Sequence, residues 1–256
     1  MSLYFELLQK PIFSVEDIAD RYEKISGARS AIKSLVRQGM AIKIRNNMYT
    51  CISGETGSPI ANRFQIASSI TSTSYVTHHS ALEYYGITDQ VFHEVYVASL
   101  KPFSEFDFDG FSFRCVHSSY LDGVEMLPMS GNIRITNKER TVIDCINDMD
   151  KIGGIEEIFS CILNLKKLRE DHLLQYLAMY DNQFLYQKAG YLLLKNQKIL
   201  GLSDDFFKVC QEKIGKSKRY LSSDYNKNGK YDSTWQLVIP EAICGMKNGE
   251  TENGIL

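Results

Sequence analysis

The chain has 256 residues, 44% of them apolar and 23% charged, with a formal net charge of −2. That composition excludes a disordered, collagen-like or coiled-coil chain, and the length favours two domains over one. No apolar run approaches the roughly 18–20 residues needed to span a bilayer, and the start, MSLYFELLQKPIF, does not read as a signal peptide. Six cysteines are scattered singly with no CxxC, the usage of reduced thiols in a cytoplasmic protein.

The small net charge conceals blocks. Between Lys24 and Gly54 there are six basic residues and no acidic ones. Residues 55–186 carry 10 basic and 18 acidic residues, and residues 187–230 hold 10 basic against 4 acidic. A basic patch attracts phosphate backbones whatever the whole-chain total.

Leu3, Leu7 and Leu8 predict a short first helix that stops before Pro11. Ser14 is placed to cap a second, with Asp17 at the return position of a capping box and Val15, Ile18, Ala19 and Tyr22 at helical spacing. Gly27 is expected to break the chain, and a third helix to run from about Ala28 to Gln38, ending at Gly39. On that helix Ala28, Ala31, Ile32, Leu35 and Val36 fill one arc. Arg29, Ser30, Lys33, Ser34, Arg37 and Gln38 fill the other. Ala41–Arg45 and Met48–Ile52 then flank Asn46–Asn47 as a hairpin, since asparagine tolerates the positive φ of a type I′ turn. The expected register sets Ile44 against Tyr49 and Ile42 against Cys51, leaving Lys43, Arg45 and Thr50 on the other face.

Helix, helix, basic helix and basic-tipped hairpin make the order of a winged helix-turn-helix over residues 1–54. Arg29, Ser30 and Lys33 are then placed for base edges, and Arg37, Lys43 and Arg45 for phosphates. The hairpin-tip residues Asn46 and Asn47 complete the candidate DNA-contacting set. A winged helix also serves as a protein-interaction module; acids on the exposed helix face would favour that, and there are none.

A polar linker, GETGSP, precedes a second domain over 55–235. Helices are expected at 61–70 and 80–85, the latter closed by Gly86, with strands at 74–77, 93–98, 111–116 and 133–135. Helices follow at 138–148, 154–166, 171–180, 183–195 and 204–214, an α+β pattern with a helical carboxy-terminal part. Residues 215–232 read as an exposed basic loop, and 236–256 as a partly disordered tail.

Motifs of catalysis are missing. His78–His79 lacks the i, i+4 spacing of a metal pair, and His93, His117 and His172 stand alone. There is no glycine-rich phosphate loop, GxSxG or HExxH, so no enzyme, cofactor or metal is expected. Glu94, Lys101, Asp107 and Asp109 have only generic spacing; a winged-helix-tethered nuclease built on them is the alternative reading. In IRITNKERTVIDCI (133–146), Thr136 is a candidate cap with Glu139 completing a box. Arg140 and Asp144 stand i, i+4, giving either a local ion pair of a few tenths of a kcal/mol or a polar cluster that docks another element or a partner.

Three pieces together carry a family resemblance: the amino-terminal segment ending in RNNMYTCI, then YVTHHSALEYYGI (75–87), and TNKERTVIDCI (136–146) followed by Gly153–Gly154 and a helix. In these, over roughly residues 1–215, the chain resembles the AbiEi-type antitoxins of bacterial abortive-infection (type IV toxin–antitoxin) systems. The resemblance implies a non-enzymatic repressor that binds its own operator, an inverted repeat in double-stranded DNA, through the winged helix. It implies a second domain that counters a nucleotidyltransferase-like toxin. Carried onto this sequence, DNA contacts fall to Arg29, Lys33, Arg37, Lys43 and Arg45. The antitoxin-domain motif falls on Thr77, Ser80, Leu82, Gly86, Glu139, Arg140, Thr141 and Asp144. The chain departs from the family at the wing, where Asn46–Asn47 replaces the frequent Arg-Gly-x-Tyr, and the basic stretch 187–230 matches no family motif.

Overall fold

Leu3–Leu7 form the first helix, α1, in a computed structural model that describes residues 2–88, 90–222 and 229–244. The second helical segment, Glu16–Arg21, is a tight 3-10 helix rather than an α-helix. Its expected capping box is half made: the Asp17 carboxylate accepts from the Ser14 N–H at 2.8 Å and also from the Ser14 hydroxyl at 2.9 Å. The segment's N-cap is Val15, and no side chain caps it. The third segment, α2, runs Ile25–Arg37. Gly27 therefore lies inside its first turn and does not break the chain. A Cβ there would meet the Tyr22 ring at 3.0 Å, so close approach is what glycine permits. Ala28, Ile32 and Leu35 of α2 are buried, whereas Val36, expected on the buried arc, is exposed.

The hairpin pairs β1 (Ala41–Arg45) with β2 (Met48–Cys51), and Asn47 has the positive φ expected of its turn. Its register differs from expectation. Ala41 faces Cys51, Ile42 faces Thr50, Lys43 faces Tyr49, and Arg45 faces Met48, with an irregularity between Lys43 and Arg45. A bulge at that point turns side chains over. Ile42 is exposed and Thr50 fully buried, its hydroxyl accepting from the Ala61 N–H at 3.2 Å. Phe13 bridges Tyr49 through two reciprocal 2.9 Å bonds, adding a third extended segment. Residues 53–58 form a tight turn, since Ile52 bridges Pro59.

Helix α3 (Arg63–Ser69) opens on a complete capping box, Asn62 with Gln65. Strands β3 (Tyr75–Val76), β4 (Glu94–Ser99), β5 (Phe106–Phe108), β6 (Phe111–His117), β7 (Val124–Leu127) and β8 (Ile133–Thr136) form a six-stranded mixed sheet ordered β5-β6-β4-β3-β8-β7. The interleaved helices are α4 (His78–Tyr84) and, after the sheet, α5 (Lys138–Asn147), α6 (Ile155–Asn164), α7 (Glu170–Tyr180), α8 (Gln183–Leu194), α9 (Gln197–Leu200) and α10 (Asp204–Lys213). The chain is thus α+β. It divides into two compact units, one of residues up to Val76 with Phe92–Ile135, the other of Thr77–Val91 with residues from Thr136 onward. This division does not fall at residue 55.

Residues expected in a loop and tail supply β9 (Arg219–Tyr220), β10 (Gly229–Asp232), β11 (Leu237–Pro240) and α11 (Glu241–Cys244). β11 is buried along its length because it completes the helical unit's core, so no tail begins at 236. The rest of the expected tail, 245–256, lies outside the described residues, as do 223–228 of the expected loop. Trp235 is 1% exposed and rests where a side chain at Gly190 of α8 would be: a Cβ there would lie 2.0 Å from the indole. Gly190→Ala should therefore cost about 1–3 kcal/mol by overpacking, read as a lowered urea midpoint followed by Trp235 fluorescence. Among the described residues Cys51, Cys145, Cys161 and Cys210 are buried free thiols. No helix of the described residues is long and apolar enough to cross a membrane.

Candidate functional site

Two sets of sequence-selected residues meet different fates. On α2, Arg29, Lys33 and Arg37 recur every fourth residue and are exposed, as are Ser30, Lys43 and Asn46. None of Arg29, Lys33, Arg37 and Lys43 makes an ion pair or side-chain hydrogen bond with another described residue. Ser30 turns its hydroxyl back to the Ser26 carbonyl at 2.9 Å. These cations are available to an outside anion.

Arg45 and Asn47 are not. The Arg45 guanidinium lies 5.0 Å from the Phe106 ring centre and 5.8 Å from that of Phe103, with Nη1 screened from solvent and without a hydrogen-bond partner. The side chain, half-buried, follows the irregularity in β1 and stacks on those rings. The Asn47 carbonyl accepts from the Val15 N–H at 3.1 Å and its amide donates to Glu16 at 2.6 Å. It locks the hairpin turn to the 3-10 helix instead of facing a groove. That hydrogen bond holds the Glu16 carboxyl below its usual range, with Arg29 a smaller contributor. Counting acids along the chain missed Glu16, which folding brings near Arg29.

The second set is buried: Thr77, Ser80, Glu139, Arg140, Thr141 and Asp144 are each 8% exposed or less. Asn137, and not Thr136, caps α5, its side chain accepting from the Arg140 N–H at 2.9 Å. Thr136 still belongs to β8, and its hydroxyl lies 2.7 Å from that of Thr141. Glu139 turns away from the cap and accepts from the Arg169 N–H at 2.9 Å.

Asp144 is the hub. Its carboxylate accepts from Arg140 Nε at 2.6 Å, the Tyr180 hydroxyl at 2.7 Å and the Thr77 hydroxyl at 2.9 Å. Arg140 Nη2 also donates to Tyr180 at 3.1 Å, and the guanidinium stacks over the rings of Tyr180 and Tyr176. Burial, reinforced by Asp144, pushes the Tyr180 hydroxyl far up, which keeps it a donor. Burial pushes the His78 imidazole down; its Nδ1 lies 3.1 Å from the Thr77 hydroxyl. Sequence spacing found Arg140 and Asp144 but placed them at a helix surface. It missed Tyr176 and Tyr180, whose i, i+4 spacing on α7 was the available signal.

Two carboxylates of the nuclease reading, Glu94 and Asp107, stand on either side of Ser112 in the sheet register, and each is engaged by a neighbour. Glu94 accepts from Tyr96 at 2.9 Å and Arg114 at 3.0 Å, which hold it below the usual carboxylate range. Asp107 accepts from the Ser112 hydroxyl at 2.5 Å. Among the described residues no group of three or more His, Cys, Asp or Glu is placed to hold a metal ion.

No family model and no curated protein matches the chain. Among solved structures it is similar to the crystal structure of the RV2827C protein from Mycobacterium tuberculosis. The TM-score is 0.60 at 14% identity, over 93% of this chain and 89% of that one. Identity that low carries the fold alone.

Proposed function

We propose that this chain is a DNA-binding repressor of its own operon and the antitoxin of a bacterial abortive-infection pair. The observation that carries the first half is the exposed face of α2, where Arg29, Lys33 and Arg37 have no ion partner among the described residues, with Lys43 on the adjoining hairpin. Two helical segments, a basic third helix and a hairpin braced by Phe13 are the parts of a winged helix-turn-helix, which would set α2 in the major groove. Ser30, Arg29 and Lys33 then reach base edges, while Arg37 and Lys43 meet phosphates. The antitoxin half rests on the sequence resemblance. Burial of its motif residues supports a part for them in holding the second unit together rather than in touching a toxin.

The test is a gel-shift titration against the chain's own upstream DNA with scrambled competitor. Arg29→Ala with Lys33→Ala should weaken specific binding by about 30-fold or more while leaving most of the sequence-blind component, because each lost base contact costs roughly 1–3 kcal/mol and tenfold is about 1.4 kcal/mol. Lys43→Ala should weaken all sequences alike and lower the salt slope by about one. Unchanged operator preference in the double variant would remove α2 as the reading helix. Co-expression with an adjacent nucleotidyltransferase-type gene tests the antitoxin half separately.

A further inference from the structure

Helix α8 is apolar on nearly every side and carries one cation in its middle. Lys188 is only 6% exposed, yet its ammonium has a single hydrogen-bond acceptor, the Asn147 carbonyl at 2.8 Å. No carboxylate among the described residues lies within ion-pair distance of it. The Phe184 ring lies 5.0 Å from it, and Asp148 and Asp150 act on it from beyond ion-pair distance. A buried charge of this kind is ordinarily paired, since isolating it from water is costly.

Lys188 lines a cleft of about 680 Å³, within the range of small-molecule sites. Lys218 and Arg219 line it as well, and neither makes an ion pair with a described residue. Both touch aromatic faces: Lys218 those of Tyr220 and Tyr231, Arg219 that of Phe184. The segment 147–156 contributes acids to the same lining, Asp148, Asp150 and Glu156, of which Asp148 is paired with Lys151. The cleft is therefore bipolar, with three cations beyond ion-pair distance of any described carboxylate, Asp148 and Asp150 acting on Lys188 only at longer range, and a set of strong hydrogen-bond acceptors. Inorganic phosphate would use the cations only. A ligand with a phosphate at one end and hydroxyl or ring N–H donors at the other uses both, and aromatic faces suit a planar ring.

We propose that this cleft binds a free nucleoside phosphate, its phosphate held by Lys188, Lys218 and Arg219, and a hydroxyl or ring N–H donor at its other end by Asp150. Such a ligand supplies the contact ion pair that Lys188 does not make with a described residue. The site belongs wholly to the unit that follows Thr136, so the proposal is independent of operator binding.

The experiment is isothermal titration of the full chain with the four ribonucleoside 5′-monophosphates, inorganic phosphate and a ten-nucleotide single-stranded RNA. At least one monophosphate is expected to bind below about millimolar Kd and at least about tenfold more tightly than phosphate, a difference of about 1.4 kcal/mol. Lys218→Ala with Arg219→Ala, two surface changes that leave the core intact, should weaken it by about tenfold or more. Lys188→Met should abolish it. No monophosphate binding at millimolar concentration would overturn the proposal, as would binding indifferent to the surface double variant. Equal binding of inorganic phosphate would overturn the nucleoside assignment. An RNA strand that binds more tightly than every mononucleotide, and loses that advantage in the double variant, would replace a free nucleotide with a nucleic-acid end.

Discussion

Asp144→Ala should destabilise the helical unit by about 3–5 kcal/mol, the cost of leaving a buried charge without its partner. Arg140, 1% exposed, would lose the carboxylate to which its Nε donates at 2.6 Å, and the Thr77 and Tyr180 hydroxyls would lose the same acceptor. Trp235 is the one tryptophan of the chain and belongs to the same buried core as Ile143 and Tyr176, so its fluorescence reports unfolding of this unit. The urea midpoint should fall sharply in the single variant. Arg140→Met combined with Asp144→Leu should be markedly more stable than either change alone, because removing both charges leaves no orphan. The cycle also decides how the antitoxin motif acts. A variant that keeps wild-type stability but loses protection against the toxin would make Asp144 a partner contact and refute its role as hub of the fold.

Periodicity made the elements legible. Helices α5, α7, α8 and α10 lie within a residue or so of their expected spans, and strands at 94–99 and 111–117 likewise. Each is long enough for its pattern to repeat. What the pattern could not supply is which elements cover a given face. Arg140 and Asp144 have the spacing of an exposed pair on an isolated helix; partners distant in sequence, Thr77 and the α7 residues Tyr176 and Tyr180, cover them in the fold. The hairpin shows the same limit at smaller scale. Alternation set Ile44 opposite Tyr49, but one irregular residue shifts the register, exposes Ile42 and swings Arg45 onto Phe106. A bulge has no signature in alternation, because it is the point where alternation fails.

Charge counting erred for a related reason. The excess of basic residues in 187–230 treats every lysine as surface. Lys188 is buried, Lys208 is paired with Asp205, and Lys195 lies over the rings of Phe159 and Tyr191. Lys198, Lys213, Lys216, Lys218, Arg219 and Lys230 remain exposed without an ion pair to a described residue. The signal for Lys188 was present in the sequence as one cation inside the apolar run Phe184–Leu194. It required reading α8 as buried all round, which its composition supports.

Lys188→Met should stabilise the protein at neutral pH, by about 2–3 kcal/mol in the absence of ligand. Burial pushes the Lys188 ammonium down to about 8 from an ordinary 10.5, with Asp148 and Asp150 opposing the shift. At about 1.4 kcal/mol per pKa unit that displacement corresponds to roughly 3 kcal/mol, less about 1 kcal/mol for the hydrogen bond to Asn147. The direction with pH follows from proton counting. Between about 8 and 10.5 the unfolded chain keeps this proton and the folded chain has released it, so stability of the wild type rises with pH across that window relative to the variant. Below 8 both states are protonated and the full cost of the buried charge is present. Urea midpoints by Trp235 fluorescence should therefore separate the two proteins most at pH 7 and bring them together as pH approaches 10. A saturating nucleoside phosphate should close the gap from the other side, by stabilising the wild type at pH 7 and leaving the methionine variant unmoved. A variant less stable than wild type at pH 7 would mean that the ammonium is already compensated within the fold, and the cleft would have no need of an anion.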